Sequence, residues 1–319
     1  MKTLILALLL LATPASAQQL KILVGSTTDA YGITARIVSR HIGKYLPENP
    51  AVVIQEMPGS ADINLANYLY NVAPKDGTVI GTFKKNIPTL SALGNPVVKY
   101  NAEKFTWLGS VSDGRDDAVI MWSNKSGPIA RFRTEELIVG AENIVSADPT
   151  ILIKEVLDIK MKVIAGYSKS SENRLAFERR EVDAVVYNLA GIKVTKPEWL
   201  RPNSGVYPLI QFGNGAIRHK EYSHVPTLYE LTLRKELLNV FEKQFALLRP
   251  FVAPPDIPEA RAKELRDAFE KVVHDNEFLA EAKQAGIDVK LISWKEAEQI
   301  VSETVNAPQK VLDEIRSLI

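Results

Sequence analysis

Lys21-Ile22-Leu23-Val24-Gly25-Ser26-Thr27-Thr28-Asp29-Ala30-Tyr31-Gly32, running on into residues 33–46, decides the fold. Four residues with a β-type pattern end at a glycine and a hydroxyl-rich loop. An amphipathic pattern follows, in which Ile33, Ile37 and His41 recur four apart with Val38, Ile42 and Tyr45 alongside. That periodicity predicts a helix with one apolar face. The same grammar returns twice: 52–55 and 78–83 read as strands, 62–72 and 89–93 as helices. Short strands alternating with helices predict βαβ units on a mainly parallel sheet. The loops after the strands then meet helix N-termini, whose first N–H groups lack intrahelical partners.

Further along, 137–140, 163–165 and 182–187 read as strands, with helices over 149–157 and 171–179 between them. Ser146 or Asp148 is placed to cap the first of these helices, and Pro149 suits its first position. From Pro258 onward the pattern is helical, and Ser293-Trp294-Lys295-Glu296 is a capping box opening a helix through Asn306. A length of 319 residues points to two domains. The expected division is a leader over 1–17, a first lobe from 18–121, a second lobe from 122–248, and a return to the first lobe over 249–319. A small ligand would be buried between two such lobes.

Composition narrows the function. Lys and Arg number 39 against 38 Asp and Glu, so there is no basic field to attract nucleic acid. The absence of cysteine excludes disulfides, thiolate metal sites and cysteine nucleophiles. Met1-Lys2, the apolar run 4–12 and Ala15-Ser16-Ala17 together form a secretory signal, with cleavage expected after Ala17 and a periplasmic destination. The apolar run is about half the roughly 20 residues that span a bilayer.

Catalytic motifs are missing. There is no Gly-x-Ser-x-Gly elbow, phosphate-binding loop or His-Glu-x-x-His. Gly213-Asn214-Gly215 starts like a dinucleotide fingerprint but meets Arg218 where the third glycine belongs. His219 and His224 lack an acidic partner at ligand spacing, and His41 reads as a core-edge residue. No cofactor and no catalysis are expected.

Longer motifs carry a resemblance. Met57-Pro58-Gly59, the run 66–83 (ANYLYNVAPKDGTVIGTF), Phe105-Thr106-Trp107-Leu108-Gly109-Ser110-Val111, Glu178-Arg179-Arg180-Glu181-Val182-Asp183-Ala184, His224-Val225-Pro226-Thr227-Leu228 and Arg249-Pro250-Phe251-Val252-Ala253-Pro254-Pro255 resemble the substrate-binding receptors of tripartite tricarboxylate transporters, the Bug family. The resemblance implies a two-lobed, type II periplasmic binding protein with its C-terminal helices packed on the first lobe. It implies capture of a small carboxylate and delivery to a permease of two integral membrane subunits. A membrane sensor kinase is the alternative reader, and an exported enzyme using Asp29, Asp62 and Lys169 is a third reading.

By position, the resemblance places ligand contacts at Ser26, Thr27, Thr28, Asp29 and Tyr31 in the first loop, and at Ser60, Ala61, Asp62 and Asn64 in the second. Lys84 follows the third strand. The second lobe contributes Ser146, Tyr167, Ser168, Lys169 and Asp183. The chain departs from the family in these loops. Thr28, Asp29 and Ala30 replace glycines, Gly32 stands where the family has Asp, and Gly59-Ser60-Ala61 replaces Gly-Ala-Gly. Losing glycines should reshape the pocket walls. Asp29 and Asp62 should repel a dianion unless they turn away as helix caps, the expectation for Asp62, with Lys84, Lys85 and Lys169 restoring positive potential.

Overall fold

The computed structural model describes residues 19–114, 117–142, 149–212, 215 and 218–317. The expected leader lies outside them. The first lobe opens with β1 (Leu20–Val24), α1 (Ala30–Ile42), β2 (Val52–Glu56), α2 (Ile63–Asn71), β3 (Val79–Thr82), α3 (Ile87–Leu93) and β4 (Thr106–Ser112). The second lobe follows with β5 (Val119–Ser123), β6 (Leu137–Ala141), α4 (Pro149–Val156), β7 (Met161–Ala165), α5 (Ser170–Glu178), β8 (Ala184–Asn188), α6 (Leu189–Thr195) and β9 (Tyr207–Phe212). Two helices, α7 (Leu228–Leu231) and α8 (Lys235–Lys243), lead back. The chain ends with β10 (Leu248–Ala253), α9 (Glu259–Val273), α10 (Asn276–Gln284), β11 (Ile292–Ser293), α11 (Trp294–Val305) and α12 (Gln309–Ser317).

Each lobe is built on one mixed sheet, in the orders β11-β4-β10-β3-β1-β2 and β7-β6-β8-β5-β9. The βαβ reading accounts for the parallel strands of each: β1 between β2 and β3, and β6 between β7 and β8. A parallel neighbour needs a crossover, which is why helices follow these strands. Antiparallel strands complete both sheets, β10 and β11 in the first and β5 and β9 in the second.

Side chains alternate across the sheets as the pleat requires. Leu20, Ile22 and Val24 of β1 pack with α1, α9 and α10 on one face, while Leu23 joins the core under α2 and α3 on the other. In β5, Ile120 and Trp122 pack toward Phe177 and Trp199, and Val119 and Met121 toward the opposite face. The helix α1 buries Thr34, Ile37, Val38, His41 and Ile42, with Ile33 only half-buried, and turns Arg36 and Arg40 to water. His41 is buried as expected, its Nε2 3.0 Å from Glu281 Oε1 of α10. Ser293 accepts from the Glu296 N–H at the start of α11. No helix among the described residues is long and apolar enough to cross a membrane.

The two crossings between lobes lie side by side. The chain leaves the first sheet after Ser112 and enters the second at Val119, so β5, where the division was expected, belongs wholly to the second sheet. It rejoins the first sheet at Leu248, opposite Ser112. The helix α8, inside the expected second lobe, packs against α11 and α12 of the first. Arg249 seals this junction: it is fully buried, and its Nη1 donates to Ser112 Oγ at 2.9 Å.

The first loop lies directly on α1. A Cβ at Gly32 would sit 2.0 Å from the Ser26 carbonyl oxygen and 2.6 Å from Thr27 Cα, both backbone. Gly32→Ala should therefore lose about 1 to 3 kcal/mol of stability through overpacking, although alanine is the better helix former. Urea unfolding of the variant against the parent checks this.

Candidate functional site

The ends of β1, β3, β6 and β8, with the first turns of α5 and α6, surround a cavity of about 130 Å³ between the lobes. This follows from the topology, because loops at the carboxyl ends of parallel strands open onto a common crevice. From the first lobe, Asp29, Tyr31, Ala61 and Lys84 reach the wall, and of the residues expected in the site these four line the cavity. The second lobe supplies Glu142, Arg174, Tyr187 and Asn188, none of which the sequence reading singled out.

Asp29 is the N-cap of α1, its Oδ1 accepting from the Gly32 N–H at 2.9 Å. Burial holds its carboxyl above the usual range, and Lys84 opposes that rise. Asp62 overturns the expectation of a cap. It precedes α2 in the left-handed conformation, makes no capping hydrogen bond, and turns its carboxylate inward. Oδ2 accepts from the Lys84 backbone N–H at 3.0 Å. Oδ1 occupies the space where a Cβ on Gly25 would lie, 1.7 Å away, so glycine at 25 makes room for this acid. Burial pushes the Asp62 carboxyl up to about 7.

Lys84 reaches across the cleft to Glu142, and its Nζ also lies 3.4 Å from Ser170 Oγ. Burial alone would lower its pKa. Glu142, Asp62 and Asp29 together overcome that and hold the ammonium above its ordinary value. Lys85 differs: burial brings it down to about 7, with Asp117 opposing, and its ammonium stands 4.0 Å from the centre of the Phe245 ring. The Arg174 guanidinium lies over the Tyr187 ring at 5.6 Å, and its buried Nε has no hydrogen-bond partner.

The other expected residues lie elsewhere. Ser26 and Thr28 bond each other at 3.1 Å within the first loop. The Thr27 N–H donates to Glu56 Oε1, and Lys169 pairs with Glu56 Oε2 at 3.0 Å, a second link between the lobes. Ser168 bonds Glu172 in the first turn of α5. Asn64 is exposed on α2, and Tyr167 packs half-buried on the second lobe's core. Ser146 lies outside the described residues. Asp183 is a correction: it precedes β8, binds Lys125 Nζ and the Ile138 N–H, and so sits at the end of the sheet away from the cleft. Tyr187 and Asn188 close the same strand at the cleft end, and the carboxyl-end rule is the signal that would have found them.

The second loop keeps a glycine-type backbone without the glycines. Ser60, Ala61 and Asp62 all have positive φ, at 47°, 47° and 73°. The wall is therefore less reshaped at these positions than the lost glycines suggested.

No protein-family model matches this sequence, and no curated protein does. Solved structures do match over nearly the whole chain. MatC from Rhodopseudomonas palustris with bound malate is 14% identical, with a TM-score of 0.69 over 95% of this chain and 100% of that one. The periplasmic binding protein BugD is 15% identical, with a TM-score of 0.69 over 94% and 97%. Another R. palustris protein, solved with adipate, is 16% identical with the same score and coverage. The fold is thus that of the two-lobed periplasmic solute-binding proteins, as the resemblance implied.

Two predictions follow from the walls. Ala61→Gly should raise stability by about 1 kcal/mol, since a left-handed alanine costs roughly 1 to 2 kcal/mol and glycine almost none; chemical denaturation measures it. Asp62 is protonated more readily folded than unfolded, so its contribution is full below about pH 4 and is lost as pH rises toward 7. Asp62→Asn should therefore gain stability relative to the parent between pH 5 and 8, on the order of 2 to 4 kcal/mol at the upper end. Parallel denaturation curves across that range give the sign.

Proposed function

We propose that this chain is an exported, non-enzymatic solute receptor of the tripartite tricarboxylate transporter type. It captures a small organic acid between its lobes and delivers it to a permease of two integral membrane subunits. The leader over 1–17 directs it to the periplasm, where cleavage after Ala17 releases it.

The observation that carries this reading is the unpaired arginine on the cavity wall. Arg174 lines the cavity, and among the described residues no carboxylate lies within ion-pair distance of it. A guanidinium Nε without a partner, beside the edge of an interlobe cavity, suits a carboxylate oxygen. The fold shared with proteins solved with malate and adipate supports the same class of ligand. Against catalysis, Lys169 is committed to Glu56, Asp29 to its cap and Asp62 to the Lys84 backbone N–H behind the wall, so the trio that an acid–base mechanism would need is occupied with structure.

Binding would work by lobe closure. An acid held by Arg174 and Tyr187 on one side and by the Asp29–Tyr31 segment on the other stabilises the closed arrangement that a permease would read.

Thermal unfolding against a panel of mono-, di- and tricarboxylates tests this. A true ligand stabilises the protein by about 2.7 kcal/mol at 100 times its Kd. Small-angle scattering should show compaction with the same compound, and Arg174→Ala should weaken its binding at least tenfold. A panel in which no acid shifts the midpoint, or in which a bound acid is turned over, overturns the reading.

A further inference from the structure

Glu142, the first residue after β6, places its carboxylate between two donors. Lys84 Nζ from the first lobe binds one oxygen, and Ser170 Oγ at the start of α5 donates to the other at 2.6 Å. With Lys84 and Ser170 themselves 3.4 Å apart, cation, hydroxyl and acid close a triangle across the cleft. The acid side chain is 9% exposed. An ammonium, a hydroxyl and the amino end of a helix converging on one point make a position for a carboxylate. Here the chain fills that position itself.

We infer that Glu142 is a resident carboxylate occupying the anion position of the cleft, so that the receptor selects a monocarboxylate and turns away dicarboxylates. The selectivity rests on the receptor reading above; the occupancy by Glu142 rests on the triangle alone. The charge of Lys84 is already matched, since Glu142 pairs with it directly. An incoming dianion would bring its second acid against the Glu142 carboxylate in a poorly screened cavity, where like charges repel most. What remains for a ligand is Arg174 over Tyr187. The guanidinium suits one carboxylate, the rest of the ligand lying along Val119, Val186 and Ile192.

The test compares the parent with Glu142→Ala and Glu142→Gln, by thermal unfolding and titration calorimetry, using acetate, propionate, butyrate, benzoate, succinate and malate. Acetate should stabilise Glu142→Ala saturably, above a chloride control of equal ionic strength, and by clearly more than it stabilises the parent or Glu142→Gln. Malate should bind Glu142→Ala at least tenfold more tightly than the parent, while the parent prefers at least one monocarboxylate to malate by tenfold. Equal responses of the parent and Glu142→Ala to acetate and malate overturn the proposal, as does a parent that binds malate more tightly than every monocarboxylate. If acetate rescues Glu142→Ala but no acid binds the parent, Glu142 stands as the resident anion and the receptor reading falls. Should the alanine variant fail to fold, Glu142→Gln decides: removing the charge must improve malate binding at least threefold, and no improvement overturns the proposal.

Discussion

A lysine ammonium drawn out of water has to be met by carboxylates, and that requirement at Lys84 organises the centre of this molecule. Desolvating a charge costs several kcal/mol, and removing the partner of a buried pair typically costs 3 to 5 kcal/mol. Two of the acids in reach of Lys84, Asp29 and Asp62, come from its own lobe, but the one that pairs with it directly, Glu142, comes from the other. Satisfying the cation therefore depends on the lobes lying together. The loops that hold these groups are constrained in turn: Gly25 clears space for Asp62, Asp62 holds the Lys84 backbone, and the Asp29 cap fixes the start of α1.

This arrangement gives the altered loops a physical sense. Left-handed backbone at Ser60, Ala61 and Asp62 is a local cost, borne by a site whose surroundings over-determine it. In exchange Asp62 is delivered beneath the wall, where a conventional cap would have pointed its carboxylate back along α2.

The first lobe was legible because its signals agree. A short apolar run in β1 and a period of 3.6 in α1 point to the same βαβ unit, and the structure has it. The antiparallel strands were less visible: β4 lies in a motif quoted for its resemblance, and β9 begins at Tyr207 and Pro208, which blur a strand signal. At the site, the resemblance placed Asp29, Tyr31 and Ala61, and Lys84 stood out as a lysine after the third strand; all four line the cavity. Asp183 was misplaced by ignoring which end of its strand opens there. Glu142 and Arg174 carry no local signature, since their significance arises only when the strand ends of two separate sheets are brought to face each other.

The two links between the lobes differ in kind. Lys84–Glu142 is largely shielded from solvent, whereas Lys169–Glu56 is a quarter to a third exposed, with side-chain exposures of 26% and 31%. Mobile ions screen an exposed pair over a Debye length of about 8 Å at physiological strength but scarcely reach a shielded one. The cleft thus has an outer fastening that yields to the ionic medium and an inner one that yields to chemistry in the pocket. Raising the ionic strength therefore weakens the rim contact and leaves the inner one, so the lobes are held at their centre by a contact that salt does not reach.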